Sequence, residues 1–209
     1  MNKFIIIPIL LIIGGILLVL SVPEETQEIQ SKPIYETGFT FYDVEKIQNS
    51  LAEQNISMTA PTAITDHTIP QYCTYSDGQS IQNTVQYCTT TSIMDSEGNP
   101  IGNINMGGTT DGPVMALAIL DTPDISSENS VSLVFQTMID TLVCDCWEQK
   151  QPGGFETVSE WIDAAKTKYA QSSHTAPLVS KINGLNEMNL ILEITSKDES
   201  YLWTLIVLK

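Results

Sequence analysis

One uncharged run near the N-terminus constrains this chain more than any other feature of its sequence. Residues 4–22 (FIIIPILLIIGGILLVLSV) carry no charged side chain, and Ser21 is the only hydroxyl among them. At about 1.5 Å of rise per residue, a helix of this length approaches the ~30 Å hydrocarbon core of a bilayer. The run therefore predicts a transmembrane helix rather than a buried core helix, and Pro8 and the Gly14-Gly15 pair are tolerable within it.

The flanks of this run favour an anchor that is not cleaved. A cleaved signal peptide has an apolar centre of about 7–15 residues and a small-residue cleavage site, whereas the exit here is Leu20-Ser21-Val22-Pro23. Lys3 precedes the run, and positive charge is retained on the cytoplasmic side. We therefore predict a cytoplasmic stub at residues 1–3 and a single-pass signal anchor at 4–22, with the remainder outside the cytoplasm at the cell membrane. A cleaved signal peptide is the alternative.

Beyond the anchor, the sequence divides into a spacer and one domain. Residues 23–37 (PEETQEIQSKPIYET) are polar, acidic and interrupted by prolines, which is typical of a flexible linker. Residues 38–209 are enough for one domain with its own hydrophobic core.

Hydrophobic periodicity in this domain predicts an α+β fold. Apolar side chains recur at helical spacing in three places: Asp43–Gln54, about 129–146, and a segment that begins at a Thr157–Glu160 capping box. Strand patterns occupy the regions between the first two helices and after the third, and the last three strands begin near residues 178, 188 and 201. Helices separated from runs of strands predict a mainly antiparallel sheet with about three helices.

Two further segments receive local assignments. Residues 61–70 are rich in threonine and lack periodicity, so we predict a loop there. The tetrapeptide at 71–74 (QYCT) recurs at 86–89, and we predict a strand segment at both places.

The charge balance excludes one class of partner. The chain has 25 acidic residues against nine basic ones, all of them lysine, for a formal net charge of −16. Such a field repels phosphate, so we expect no nucleic acid partner. The absence of arginine also removes the side chain that binds phosphate or carboxylate through two parallel hydrogen bonds.

Four cysteines, Cys73, Cys88, Cys144 and Cys146, are the residues with latent chemistry. In a domain expected outside the cytoplasm they predict two disulfides, for which three pairings exist. Pairing Cys144 with Cys146 would close a small, strained ring. We therefore favour the pairings that join Cys73 and Cys88 separately to the later two cysteines.

Two other readings of these cysteines stay open. Cys144 and Cys146 could form an exchanging dithiol of a thiol oxidoreductase, although the pair lies near a predicted helix end, where the dipole raises a thiol pKa. A soft-metal site could combine cysteines with His67, His174 or methionines, but the spacing does not match the paired cysteines of zinc sites.

The sequence otherwise predicts no catalytic residues, no cofactor and no metal site. It contains no nucleophile elbow and no phosphate-binding loop. Asp140, Asp145 and Glu148 lie close together in sequence, and we interpret them as a solvated helix face. Asn55-Ile56-Ser57 is a sequon, which makes Asn55 a candidate for glycosylation if the domain lies outside. Together these features predict a membrane-tethered binding or structural domain of unknown protein or small-molecule partner, stabilised by disulfides.

Overall fold

The computed structural model describes residues 38–74, 85–125, 128–172 and 176–209. The predicted anchor at 4–22 and the linker at 23–37 lie outside these residues, so both stay predictions. Within the described ranges, no helix combines the length and the apolar composition needed to cross a bilayer. Residues Thr37–Lys209 form one compact unit.

The described residues form an α+β domain of five α-helices and eight strands. The helices are α1 (Asp43–Ala52), α2 (Ile69–Tyr72), α3 (Glu128–Leu142), α4 (Trp147–Lys150) and α5 (Val158–Ala170), with a 3₁₀ turn at Pro152–Gly154. The strands are β1 (Ser57–Met58), β2 (Thr62–Ile64), β3 (Tyr87–Met94), β4 (Pro100–Thr109), β5 (Gly112–Thr122), β6 (Leu178–Leu185), β7 (Met188–Lys197) and β8 (Ser200–Leu208).

All eight strands join one antiparallel sheet. Its order is β1-β3-β4-β5-β8-β7-β6, and β2 also pairs with β3. Two three-stranded meanders, β3-β4-β5 and β6-β7-β8, therefore meet side by side at the central β5–β8 pair. That pair extends from Met115 opposite Leu208 to Thr122 opposite Tyr201, so the sheet depends on contacts between distant parts of the sequence.

Alternation along the strands divides the sheet into two faces. In β5, Ala116, Ala118 and Leu120 join the large core that also contains the buried sides of α1, α3 and α5. Met115 and Leu117, on the opposite face, join a second and smaller cluster. Successive strand residues point to opposite faces, so an apolar strand centre such as β5 reflects burial on both sides.

Two buried tryptophans tie the helix-covered face together. The indole Nε1 of Trp203 donates to Thr122 Oγ1 at 3.0 Å, and that of Trp161 on α5 donates to Ser180 Oγ on β6 at 2.8 Å. Each indole N–H thereby finds an acceptor, which avoids the cost of a buried polar group without a partner.

Helix α2 is held on the opposite face by a buried amide. Asn105 on β4 is only 1% exposed. Its Nδ2 donates to the Tyr72 carbonyl at 2.6 Å, and its Oδ1 accepts from Asn103 Nδ2 at 2.7 Å. The smaller apolar cluster lies in this region. Its buried members are Ile69, Cys73, Val85, Cys88, Met115, Leu117, Ile191, Ile206 and Leu208.

The structure confirms the α+β class, the antiparallel sheet and the three long helices. The two extra helices, α2 and α4, have four residues each, too few to show helical periodicity. Thr157 caps α5 as expected, since its Oγ1 accepts from Glu160 N at 3.1 Å; the Glu160 carboxylate, however, accepts from Glu156 N rather than from the cap residue.

Three local predictions are wrong. Residues 71–74 do not form a strand, because Pro70 lies in the first turn of α2, where proline suits a helix start. The predicted loop at 61–70 contains β2, which pairs with β3. The helix predicted to reach Cys146 ends at Leu142, where the Cys144 N–H bonds to the Ile139 carbonyl and leaves the helical pattern.

Candidate functional site

The cysteines pair locally, contrary to the expected arrangement. Cys73 bonds to Cys88 and Cys144 to Cys146, with Cα separations of 6.2 and 5.2 Å. Both separations lie within the range found for disulfides. The preference for linking Cys73 and Cys88 to the later pair is therefore wrong. Cys88 belongs to β3 and Cys73 follows α2, and both lie on the face opposite the long helices. Cys144 and Cys146 follow α3, which covers the other face.

A glycine makes room for the first disulfide. A Cβ on Gly107 of β4 would lie 2.9 Å from Cys73 Cβ and 3.1 Å from its Sγ. A side chain at this position would collide with the disulfide, so glycine permits its close approach to the sheet. Both sulfurs are fully buried, which makes this disulfide part of the second core cluster.

The second disulfide lies in a half-buried link between α3 and α4. The link is held from three directions. Val143 N bonds to the Ile139 carbonyl of α3, the Val143 carbonyl accepts from Asn186 Nδ2 at 2.7 Å, and buried Trp147 donates from Nε1 to the Phe155 carbonyl at 3.2 Å. The disulfide therefore closes a ring on a segment that the rest of the domain already fixes.

A cavity of about 510 Å³ opens beside this ring. It is lined by Gln136 and Asp140 of α3, by residues 145–149, and by residues 157–159 at the start of α5. We call it the acidic pocket, because Asp140, Asp145 and Glu148 line it and Lys, Arg and His do not. Its volume falls within the range of small-molecule sites.

The carboxyl group of Asp140 responds to these surroundings. Its pKa is raised above the ordinary 3.8, first by burial and then by the nearby negative charges of Asp145 and Glu148, while a hydrogen bond from Gln136 lowers it in part. The interpretation of these three acids as a solvated helix face is therefore wrong for Asp140, which is half-buried and feels the negative charges of the other two. Such a pocket can accept hydrogen bonds from amide or cationic groups.

The same charges act against thiol exchange. The thiolate is the reactive form of cysteine, and neighbouring carboxylates raise the pKa of a thiol. Cys146 lines the acidic pocket together with Asp145 and Glu148, and the same lining contains no basic side chain. Reactive cysteines usually lie beside basic groups, and the lining of the acidic pocket has none.

Only one of the two histidines lies in the described residues. His67 is exposed beside α2, and His174 lies outside the described ranges. No cluster of three or more His, Cys, Asp or Glu side chains in the described ranges could hold a metal ion. The soft-metal reading thus gains no support from the part of the chain that the structure describes.

Asn55 is exposed in the turn between α1 and β1. Its φ of 63° lies in the left-handed region that asparagine tolerates better than most residues. The position suits an acceptor of a glycan, and glycosylation stays a prediction.

Sequence reasoning missed the second wall of the acidic pocket. The wall from α3 could have been predicted from the sequence, because Gln136 and Asp140 lie one helical turn apart on the side of α3 away from its apolar stripe. Thr157 and Ser159 lie at the start of α5 and reach the pocket only through tertiary packing.

Comparison with known proteins found no matching family model, no matching curated protein and no matching solved structure.

Proposed function

We propose that this chain is a membrane-tethered binding or structural domain that works outside the cytoplasm. Residues 4–22 anchor it, residues 23–37 space it from the bilayer, and residues 38–209 form the working domain. The acidic pocket is its candidate ligand site. Two disulfides stabilise the domain in an oxidising compartment.

The observation that carries this proposal is the state of the cysteines. All four are paired, and none remains free. Disulfides persist in oxidising compartments and are rare in the cytosol. Together with the apolar run at 4–22, complete pairing supports an extracytoplasmic domain.

A combined topology and disulfide experiment tests the proposal. Protease is added to intact cells that express the full chain, and purified protein is cleaved with an Asp-specific protease without reduction. This protease cuts at Asp77 and Asp145, between the partners of each pair, so each disulfide appears as two linked peptides. We expect digestion of the domain from outside and the pairs Cys73–Cys88 and Cys144–Cys146.

A variant that lacks residues 4–22 is the matched control. It should stay in the cytosol, be protected from external protease and carry reduced cysteines. The same behaviour from the full chain would contradict the proposal.

The thiol oxidoreductase is the competing function, because Cys146 borders a cavity and is only half-buried. Reduction of insulin by dithiothreitol, with and without the protein, separates the two. We expect no acceleration by the full chain. Acceleration that disappears in Cys146→Ser would replace the binding proposal with an enzymatic one.

A further inference from the structure

One asparagine of this chain is followed by glycine, the neighbour that least hinders attack on an asparagine side chain. The pair is Asn183-Gly184, at the end of β6. Glycine has no Cβ, so its backbone nitrogen is easier to reach than that of any other residue. Every other asparagine in the sequence precedes a residue with a side chain. Whether the amide of Asn183 reacts then depends on how the fold holds this dipeptide.

The dipeptide lies in a bulge of the sheet rather than in a turn. β6 pairs with β7 up to Asn183, skips Gly184, and resumes with Leu185. The φ of Gly184 is 72°, which glycine adopts without strain. The hairpin turn itself falls at residues 186–187, whose φ values of 50° and 68° are both left-handed. The bulge accounts for the glycine, but it requires no asparagine before it.

The side chain of Asn183 is exposed, and none of the described residues forms a hydrogen bond with its amide. Other asparagines are held more firmly. Asn186 donates from Nδ2 to the Val143 carbonyl at 2.7 Å. Asn105 is 1% exposed, and both ends of its amide are hydrogen-bonded. These two amides would have to leave their partners before they could react, whereas that of Asn183 carries no such restraint.

Strand β6 also lies where the sheet opens most easily. Among the described residues it pairs only with β7, and it ends the strand order. In an extended strand, the backbone nitrogen of the next residue lies away from an asparagine side chain, so attack requires a local opening. Backbone at an edge and beside a bulge opens at a lower free energy than a central strand does. The reaction therefore does not need the whole domain to unfold.

The geometry points to Asn183 as a site of spontaneous deamidation. The backbone nitrogen of Gly184 attacks Cγ of Asn183, gives up its proton, and expels the side-chain amide as ammonia, which leaves a succinimide ring. Water then opens the ring at one of its two carbonyl carbons. Opening at Cγ gives aspartate, and opening at the backbone carbonyl carbon gives isoaspartate. Either product adds a carboxylate to the end of β6, and water is the only co-reactant.

Isoaspartate should loosen the end of β6, because its main chain runs through the side-chain carbons and is longer by a methylene group. Ile182 and Leu185, on either side of the site, are 5% and 3% exposed and belong to the large core. Ser180 on the same strand accepts the indole N–H of Trp161. These contacts depend on a register that a longer main chain cannot keep. We expect faster amide hydrogen exchange at residues 178–185 in the isoaspartate form.

Incubation of the full chain in detergent at mildly alkaline pH tests this inference. Peptide mapping by mass spectrometry, with fragmentation that distinguishes isoaspartate from aspartate, follows each asparagine over time. A synthetic peptide of residues 181–187 (KINGLNE) is incubated in parallel and gives the rate without the fold. We expect both products at Asn183. Conversion there should be at least about tenfold faster than at Asn186, where a hydrogen bond must break first and glutamate follows.

Two variants separate the reaction from its consequence. Asn183→Gln keeps an amide but would have to close a larger ring, which is much slower, so modification at this position should disappear. Hydrogen exchange of this variant should not change during incubation. Freshly prepared Asn183→Asp adds the charge without lengthening the main chain. Faster exchange in the incubated native chain, but not in this variant, would assign the loosening to isoaspartate.

Several results would overturn the inference. One is an intact Asn183 in the folded chain after the free peptide has been fully converted, which would show that the strand protects the amide. Another is conversion to aspartate without isoaspartate, which would indicate direct hydrolysis of the side chain. Unchanged hydrogen exchange in the isoaspartate form would overturn the predicted loosening of β6.

Discussion

Asp43 and Asp140 are helical acids whose surroundings shift their pKa values in opposite directions. Burial by itself raises the pKa of Asp43, but hydrogen bonds from Lys46 and Thr40 outweigh it, and the pKa is lowered. Lys46 Nζ lies 2.6 Å from the carboxylate, and Thr40 donates from its backbone N and its hydroxyl at 2.6 and 2.9 Å. Asp140 has acidic neighbours instead, and its pKa is raised.

We expect Asp140→Asn to raise the free energy of unfolding at pH 7. A carboxyl whose pKa is raised on folding binds more protons in the folded state. It therefore destabilises the fold once the pH exceeds its ordinary pKa of 3.8. The gain should disappear below that pH. Urea unfolding of both proteins between pH 3 and pH 7 measures the difference.

Asp43→Asn is the control, for which we expect the opposite change in the free energy of unfolding. The lowered pKa of Asp43 contributes stability that is present above pH 3.8 and is lost as the pH falls through the pKa of Asp43 in the folded state. We expect a loss of about 1–2 kcal/mol at pH 7, because hydrogen bonds to a charged group are removed. Equal and pH-independent effects of the two variants would contradict the assigned electrostatics.

At the scale of elements, the two disulfides act on different segments. Cys73–Cys88 connects the end of α2 to β3 across a sequence separation of 15, whereas Cys144–Cys146 spans a separation of only 2 between α3 and α4. A cross-link stabilises mainly by restricting the unfolded chain, and the effect grows with the length of the closed loop.

Replacing both cysteines of a pair with alanine should therefore have unequal effects. We expect Cys73→Ala with Cys88→Ala to lower the free energy of unfolding by about 3 kcal/mol or more, because buried sulfur contacts are lost along with the cross-link. Cys144→Ala with Cys146→Ala should cost roughly half as much. Urea midpoints of the two double variants give the comparison, and a larger loss for the second would refute this order.

At the scale of the whole molecule, the two meanders depend on each other. They join through β5 and β8, and every residue from Met115 to Thr122 has a partner on β8. Helix α3, which comes after the first meander, packs with α1 and with β5 in the same core. Neither the sheet nor its helical cover is complete within one half of the sequence.

A fragment of residues 38–125 should consequently fail to fold alone. It would expose one edge of β5 and the core residues that α3 and α5 cover, and exposed strands of this kind associate non-specifically. We expect the fragment to give weak near-ultraviolet circular dichroism and to bind a hydrophobic dye. Adding residues 128–209 should restore the circular dichroism and abolish the dye binding. A cooperative unfolding transition of the isolated fragment would show that the halves are independent.

Sequence patterns predicted most of the long elements correctly. The buried stripes of α1 and α5, the cap at Thr157 and the last three strands were all readable, because local periodicity and capping depend on residues close together in the chain. Residues 71–74 were misassigned, since the first copy of QYCT ends a helix at Tyr72, whereas the second begins a strand at Tyr87. For so short a segment, pairing with neighbours decides the conformation.

By itself, the sequence determined the class of the domain, its acidity, the presence of two possible disulfides and the apolar run at 4–22. Each of these depends on composition or on spacing along the chain. Only the tertiary structure decided which cysteines pair, which acids share a pocket with α5, and which strand stands at the long edge of the sheet. These outcomes depend on contacts between residues far apart in sequence, and the free energy of such contacts comes from packing that no local pattern records.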